Sequence, residues 1–217
     1  MTEADIESFL GSQPGIHLVP SRGVDYHFIG NYAIKAKHND GQIVEDQYRL
    51  RIIVPYQFPK AIPSVWEIGL QIPNNGQWHI NHNDGSICLG SYLRLLLLSR
   101  DHPVLSDYLD HCLVPYLYAV TIRKRIGGDF CFHDLAHGKD GLIDDAQELF
   151  GLREKASAVL VIKLLAMKRR VANRHICPCG CRKPLGRCDF VQKLAGFRRL
   201  APRSFYKHYV RMMVGSE

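Results

Sequence analysis

Pro55, Pro59 and Pro63 stand four residues apart in a chain of 217 residues, and this spacing limits the fold more than any other feature. Proline has a fixed φ and no N–H, so the run excludes a helix and a central strand alike and demands a stiff, extended connection. The segments on either side read as strands. Val24–Ile34 is rich in β-branched and aromatic residues, and Gln47–Val54 alternates polar and apolar side chains. Between them Asn39-Asp40-Gly41 has the composition of a tight hairpin turn, which makes the two runs an antiparallel pair. Gly15–His17 opens an extended region before this pair, and Ser64–Ile72 reads as a further strand after it. A meander of this kind is apolar on one face and needs helices to cover that face.

The cover is legible too. Thr2–Leu10 has a Thr cap, acids in its first turn and Ile6, Phe9 and Leu10 at helical spacing, so it reads as a short amphipathic helix. Asp101–Val120 repeats apolar residues at 104, 105, 108, 109, 112, 113, 116 and 117. Pro115 should kink or restart that helix. Asp144–Leu149 reads as a short helix and Arg153–Arg174 as a longer one, basic at its C-terminus. The expected class is α+β: an antiparallel four-stranded meander covered by helices, followed by a helical extension.

Charge divides the chain. Residues 1–150 hold 12 Lys and Arg against 18 Asp and Glu, whereas residues 151–217 hold 16 against 3. We therefore expect a main domain over 1–150 and a basic tail over 151–217. The tail contacts an acidic partner, a nucleic acid, or the acidic body itself. The longest apolar runs, Leu95–Leu98 and Ala158–Ile162, are far short of the roughly 20 residues of a membrane span. The first residues carry acid where an export signal carries base, so a cytoplasmic location is expected. Seven cysteines, four of them within twelve residues, fit metal binding in a reducing compartment better than a disulfide framework.

The polar loop Gln77–Gly90 closes on Gly85-Ser86-Ile87-Cys88-Leu89. A thiol just after a turn, between two apolar anchors, is how a chain displays a nucleophile, although the same pattern serves a small buried hydrophobe. Cys112, on the apolar face of a helix, and Cys131, between two Phe, read as hydrophobes. His79 and His82 lie in the loop, and a second His-rich loop, Phe130–Gly141, carries His137.

Tyr48–Val65, with its prolines, resembles the third strand and proline-rich turn of ubiquitin-conjugating enzymes, and Gly85–Leu89 resembles the segment bearing their catalytic cysteine. The resemblance covers about residues 1–120 and is nearest to divergent bacterial versions found in ubiquitin-like conjugation operons, some of them antiphage systems. Leu135–Gly141 is similar to a segment of that bacterial group. The resemblance implies a fold of the ubiquitin-conjugating (UBC) type and a transferase. Cys88 would accept a ubiquitin-like protein as a thioester from an activating enzyme and pass it to an acceptor. That family has a His-Pro-Asn triplet before its cysteine, and the Asn supports the oxyanion. Here His79-Ile80-Asn81 lies one residue closer to the cysteine and lacks the proline, so Asn81 is the candidate, with Asn83 as competitor. His79 and His137 are candidates for a part in catalysis or for structural hydrogen bonding.

Cys177-Pro178-Cys179-Gly180-Cys181 and Cys188 resemble the short zinc-binding SEC-C motif, and Cys177, Cys179 and Cys188 match it residue by residue. Asp189 stands where that motif has its last Cys or His. Cys181 is preferred as the fourth ligand over Asp189 and His175, because thiolate suits structural Zn2+ better than carboxylate. The alternative readings of the whole chain are a catalytically silent scaffold that binds a ubiquitin-like protein, and a nucleic-acid-binding zinc protein whose tail mixes Arg and Lys with Phe and Tyr.

Overall fold

The computed structural model describes residues 1–37, 41–128, 130 and 138–215. The chain forms two compact units, Met1–His133 and Asp134–Glu217. It is α+β, and the described residues hold one four-stranded antiparallel sheet and eight α-helices.

In the first unit, helix α1 (Glu3–Ser12) starts with a capping box. The Thr2 hydroxyl accepts from the Asp5 N–H, and the Asp5 carboxylate accepts from the Thr2 N–H. Strands β1 (Ile16–Val19), β2 (Tyr26–Ala36), β3 (Val44–Val54) and β4 (Ser64–Glu67) pair in chain order as a meander. Asn39 and Asp40 of the expected turn lie outside the described residues, but the β2–β3 register runs from Ala36 opposite Val44 to Tyr26 opposite Val54. The period of two along β3 buries Val44, Tyr48, Leu50, Ile52 and Val54 on one face.

Asp46 is the polar exception on that face. Its carboxylate accepts from Tyr48 and Thr121, and Thr121 also donates to the Leu117 carbonyl. Buried polar groups persist when paired in this way. The pairing ties β3 to helix α3 (Leu105–Ile126), which covers the sheet together with α1. Helix α2 (Tyr92–Asp101) precedes α3. The corner between them is fixed by Asp107, which bonds His102 Nδ1 at 2.7 Å and lies 3.3 Å from His111 Nδ1, with the two imidazoles stacked.

Three element expectations need correction. The segment Ser64–Ile72 is a strand only to Glu67, because the Glu67 carboxylate accepts the N–H groups of Gly69, Gln71 and Ile72 and folds the chain into a turn. The helix expected over Asp101–Val120 begins only at Leu105, Asp101 being the last residue of α2, and α3 runs through Pro115 to Ile126 without restarting. Burial of Cys112, Leu113, Tyr116 and Leu117 around the proline outweighs the one backbone hydrogen bond it forfeits. The single helix expected over Arg153–Arg174 is α5 (Lys155–Ala166) and a one-turn α6 (Arg169–Ala172). It breaks where the Arg198 guanidinium donates to the carbonyls of Leu164, Leu165 and Met167. A side chain that satisfies the last carbonyls of a helix serves as its C-terminal cap.

The second unit is built around α5, whose Ala158, Val161, Ile162, Leu164 and Leu165 are buried. Helices α4 (Gly138–Phe150), α7 (Phe190–Leu200) and α8 (Arg203–Val214) pack on it. Their contribution is aromatic. Phe150 and Phe197 meet at 4.4 Å, and Tyr206 and Tyr209 are fully buried. No helix among the described residues is long and apolar enough to cross a membrane.

Candidate functional site

The Cys88 loop is pinned at both ends. On the sheet side the Ile87 N–H donates to the Val65 carbonyl of β4 at 2.7 Å, and the Trp66 indole donates to the Asp84 carbonyl at 3.0 Å. Arg51 lies over the Trp66 ring at 4.4 Å. On the helix side a 3₁₀ turn, Gly76–Trp78, is capped by Asn75 and held by α3. There Tyr116 donates to the Trp78 carbonyl at 2.7 Å, and Arg123 donates to the Gln77 carbonyl while covering the Trp78 ring.

Between these anchors the loop folds back on itself. Ile80 and Ile87, both buried, form an antiparallel bridge. Below it the Asn81 N–H donates to the Ser86 carbonyl and the Asn81 amide side chain to Ser86 Oγ at 2.9 Å. Ser86 Oγ in turn donates to Asp84. Gly85 supplies the positive φ of +71° that this reversal requires. Above the bridge the Cys88 N–H donates to the His79 carbonyl at 2.7 Å. Cys88 is thus half-buried on a backbone with little freedom.

The structure brings Cys88, Asn81 and His79 into one loop. His79 holds Cys88 through its main chain, at φ +53°, while its ring meets Phe130 edge-on at 4.7 Å. His82 lies against Gly76, where an added Cβ would sit 3.0 Å from Nε2. Asn81 carries two amide hydrogens, and Ser86 accepts one of them. His137 and Cys131 lie outside the described residues. Cys112 is a core thiol that donates to the Tyr108 carbonyl, and burial pushes its pKa up to about 12.

Tyr116, Trp78 and Arg123 escaped the reading of the sequence. Burial, with the neighbouring Tyr48 and Cys88, holds the Tyr116 hydroxyl well above the usual tyrosine range, so it remains a donor. The seven-residue step from Tyr116 to Arg123 puts both on one face of α3, and that signal was available in the sequence.

The second cluster lies in the C-terminal unit. Antiparallel pairing of Ile176 with Pro184 and the bond from the Cys177 N–H to the Lys183 carbonyl close a small knuckle. Gly180 and Arg182 take positive φ at its tip. Cys188 follows a 3₁₀ turn over Leu185–Arg187. The thiols of Cys177, Cys179, Cys181 and Cys188 all lie within 4.8 Å of one another and could hold a metal ion. Among the described residues this group contains neither His175 nor Asp189, so Cys181 completes it.

A tetrahedron with Zn–S bonds of about 2.3 Å sets its sulfurs roughly 3.8 Å apart. The Cys179–Cys188 separation of 3.7 Å fits this, and that of Cys177–Cys179, 3.2 Å, is somewhat tighter. The hydrogen bond from Cys177 and the backbone donor of Cys181 lower the pKa of the Cys179 thiol, while burial raises that of Cys177. Four thiols at these separations suit a soft divalent metal.

Compared with known proteins, the chain matches no family model, no curated protein and no solved structure.

Proposed function

We propose that the chain is a ubiquitin-conjugating-enzyme-like transferase that carries a ubiquitin-like protein on Cys88. The observation that supports this best is the placement of Cys88. It is a half-buried thiol whose amide is fixed to His79, on a loop bonded to the last strand of a four-stranded meander and leading directly into α2 and α3. In the proposed cycle the Cys88 thiolate attacks the C-terminal acyl carbon of the modifier. A C–S bond forms to Cys88, and the bond to the activating enzyme's thiol breaks. An acceptor amine then attacks the same carbon, loses its proton to a base, and expels the Cys88 thiolate.

The Cys88 N–H is already bonded to His79, so oxyanion support must come from another donor. The second amide hydrogen of Asn81 is our assignment. The four knuckle thiols would hold Zn2+, which supplies cross-linking rather than catalysis and orders a segment too small to bury its own core. The pathway would be a bacterial, antiphage-type conjugation system in the cytoplasm.

The test is a thioester assay. With a candidate ubiquitin-like protein, its activating enzyme and ATP, the wild type should form an adduct that thiol reductant cleaves. Cys88→Ala should form none, and Cys88→Ser should form a reductant-resistant oxyester. An adduct that persists in Cys88→Ala would remove the assignment.

A further inference from the structure

The C-terminal unit contains a cavity of about 570 Å³ lined by Lys168, Arg169, Arg198 and Arg203, with Leu165 and Pro202 in its wall. These residues come from three places in the chain: the α5–α6 break, the second half of α7, and the start of α8. Four cations converge, yet among the described residues none of them has an acidic partner. The ion pairs of the described residues all lie elsewhere.

Arg198 is preset. Its three hydrogen bonds, to the carbonyls of Leu164 and Leu165 in α5 and of Met167 just beyond it, fix the guanidinium plane at the cavity wall. Burial and the charges of Arg169 and Arg203 lower its pKa, a sign that the guanidinium groups stand close enough to repel. No side-chain hydrogen bond caps the first turn of α8 beside Arg203. Like charges gathered in one concavity raise the local concentration of anions. The volume is that of a small-molecule site.

We propose that this cavity binds the phosphate groups of a small oligophosphate ligand of the nucleoside di- or triphosphate class. Arg169 and Arg203 grip the phosphates in the fork geometry that guanidinium offers to phosphate oxygens, and Lys168 adds a point charge. A single compact cluster of cations in an open concavity favours adjacent phosphates over phosphates strung along a strand. Three of the tail's aromatics, Phe197, Tyr206 and Tyr209, are committed to the core and cannot stack on bases. The site is independent of Cys88 chemistry.

Calorimetric titration of the full chain with inorganic tripolyphosphate, ADP and a single-stranded RNA oligomer tests this. Tripolyphosphate and ADP should each bind one per chain and saturate, and they should compete with one another. Arg169→Ala/Arg203→Ala should weaken both by about tenfold or more, as expected when two charge-assisted contacts are lost. Arg182→Ala/Lys183→Ala, which removes equal charge from the knuckle, should leave both within about twofold. Both variants alter exposed side chains and should unfold at the wild-type temperature. The proposal is overturned by an absence of saturable binding, by equal weakening in the two double variants, or by RNA binding tightly while tripolyphosphate does not.

Discussion

Cys88 and Cys112 carry the same thiol in different surroundings. Cys112 is buried and held near 12, whereas Cys88 is half-exposed. Iodoacetamide at pH 8 should therefore label Cys88 in the folded protein and spare Cys112 until denaturant is added, as read by peptide mass spectrometry. The sequence distinguished the two only in part, since Cys88 stands between Ile87 and Leu89 while Cys112 lies on the apolar face of a helix, and either setting suits a small hydrophobe. What separates them is tertiary: Cys112 is buried on α3 where that helix covers the sheet, and Cys88 follows a bridge and stays half-exposed. Asn81 is similar. Its position before the cysteine was readable, but its bond to Ser86 depends on a reversal that no spacing reveals. Asn81→Ala should slow discharge of the Cys88 thioester about a hundredfold in single turnover, the usual cost of one oxyanion donor. Unchanged discharge, with stability lowered by about 1 kcal/mol, would leave Asn81 as a turn residue alone.

Elements were legible wherever one residue type decided them. The meander follows from alternation, turn chemistry and the prolines, and α1 from its Thr cap. Boundaries set by a side chain that bonds the main chain were not legible. Glu67 ends β4 by accepting N–H groups of the turn that follows it, and Arg198 ends α5 by donating to its last carbonyls from another helix. The Asp46–Tyr48–Thr121 group that joins β3 to α3 has a consequence for pH. Burial raises the Asp46 pKa, but hydrogen bonds from the Gln47 N–H, Thr121 and Tyr48 outweigh it and hold the carboxyl below its ordinary 3.8. A carboxyl lowered in the folded state stabilises fully above its unfolded value and loses that contribution as pH falls through the folded one. Asp46→Asn should therefore flatten the decline in stability below about pH 4, as followed by urea denaturation at stepped pH.

At the scale of the whole molecule, each of the two units has its own apolar centre. The change in charge at residue 151 was visible in the sequence. The compact C-terminal unit begins earlier, at Asp134, because α4 packs on α5 and α8. That contact depends on which faces meet, and composition is silent on faces. Removal of metal should act on one unit only. Prolonged dialysis against a chelator should lower the unfolding temperature of the unit holding Cys177 and leave that of the sheet unit unchanged in calorimetry. Cys177→Ser should reproduce the shift without chelator, and elemental analysis should find one zinc per wild-type chain.

The main-chain bond from Ile87 to Val65 gives the Cys88 loop an unusual timescale. Loops normally exchange their amide hydrogens by local fluctuation, fast and independently of the core. Here the Ile87 amide donates to Val65, so it should exchange at a rate that follows β4, while the Cys88 amide donates to His79 within the loop. The residue that would bear a large, tethered passenger is therefore one position away from a bond to the sheet edge. Its cargo would be carried on something closer to a peg than to a tether.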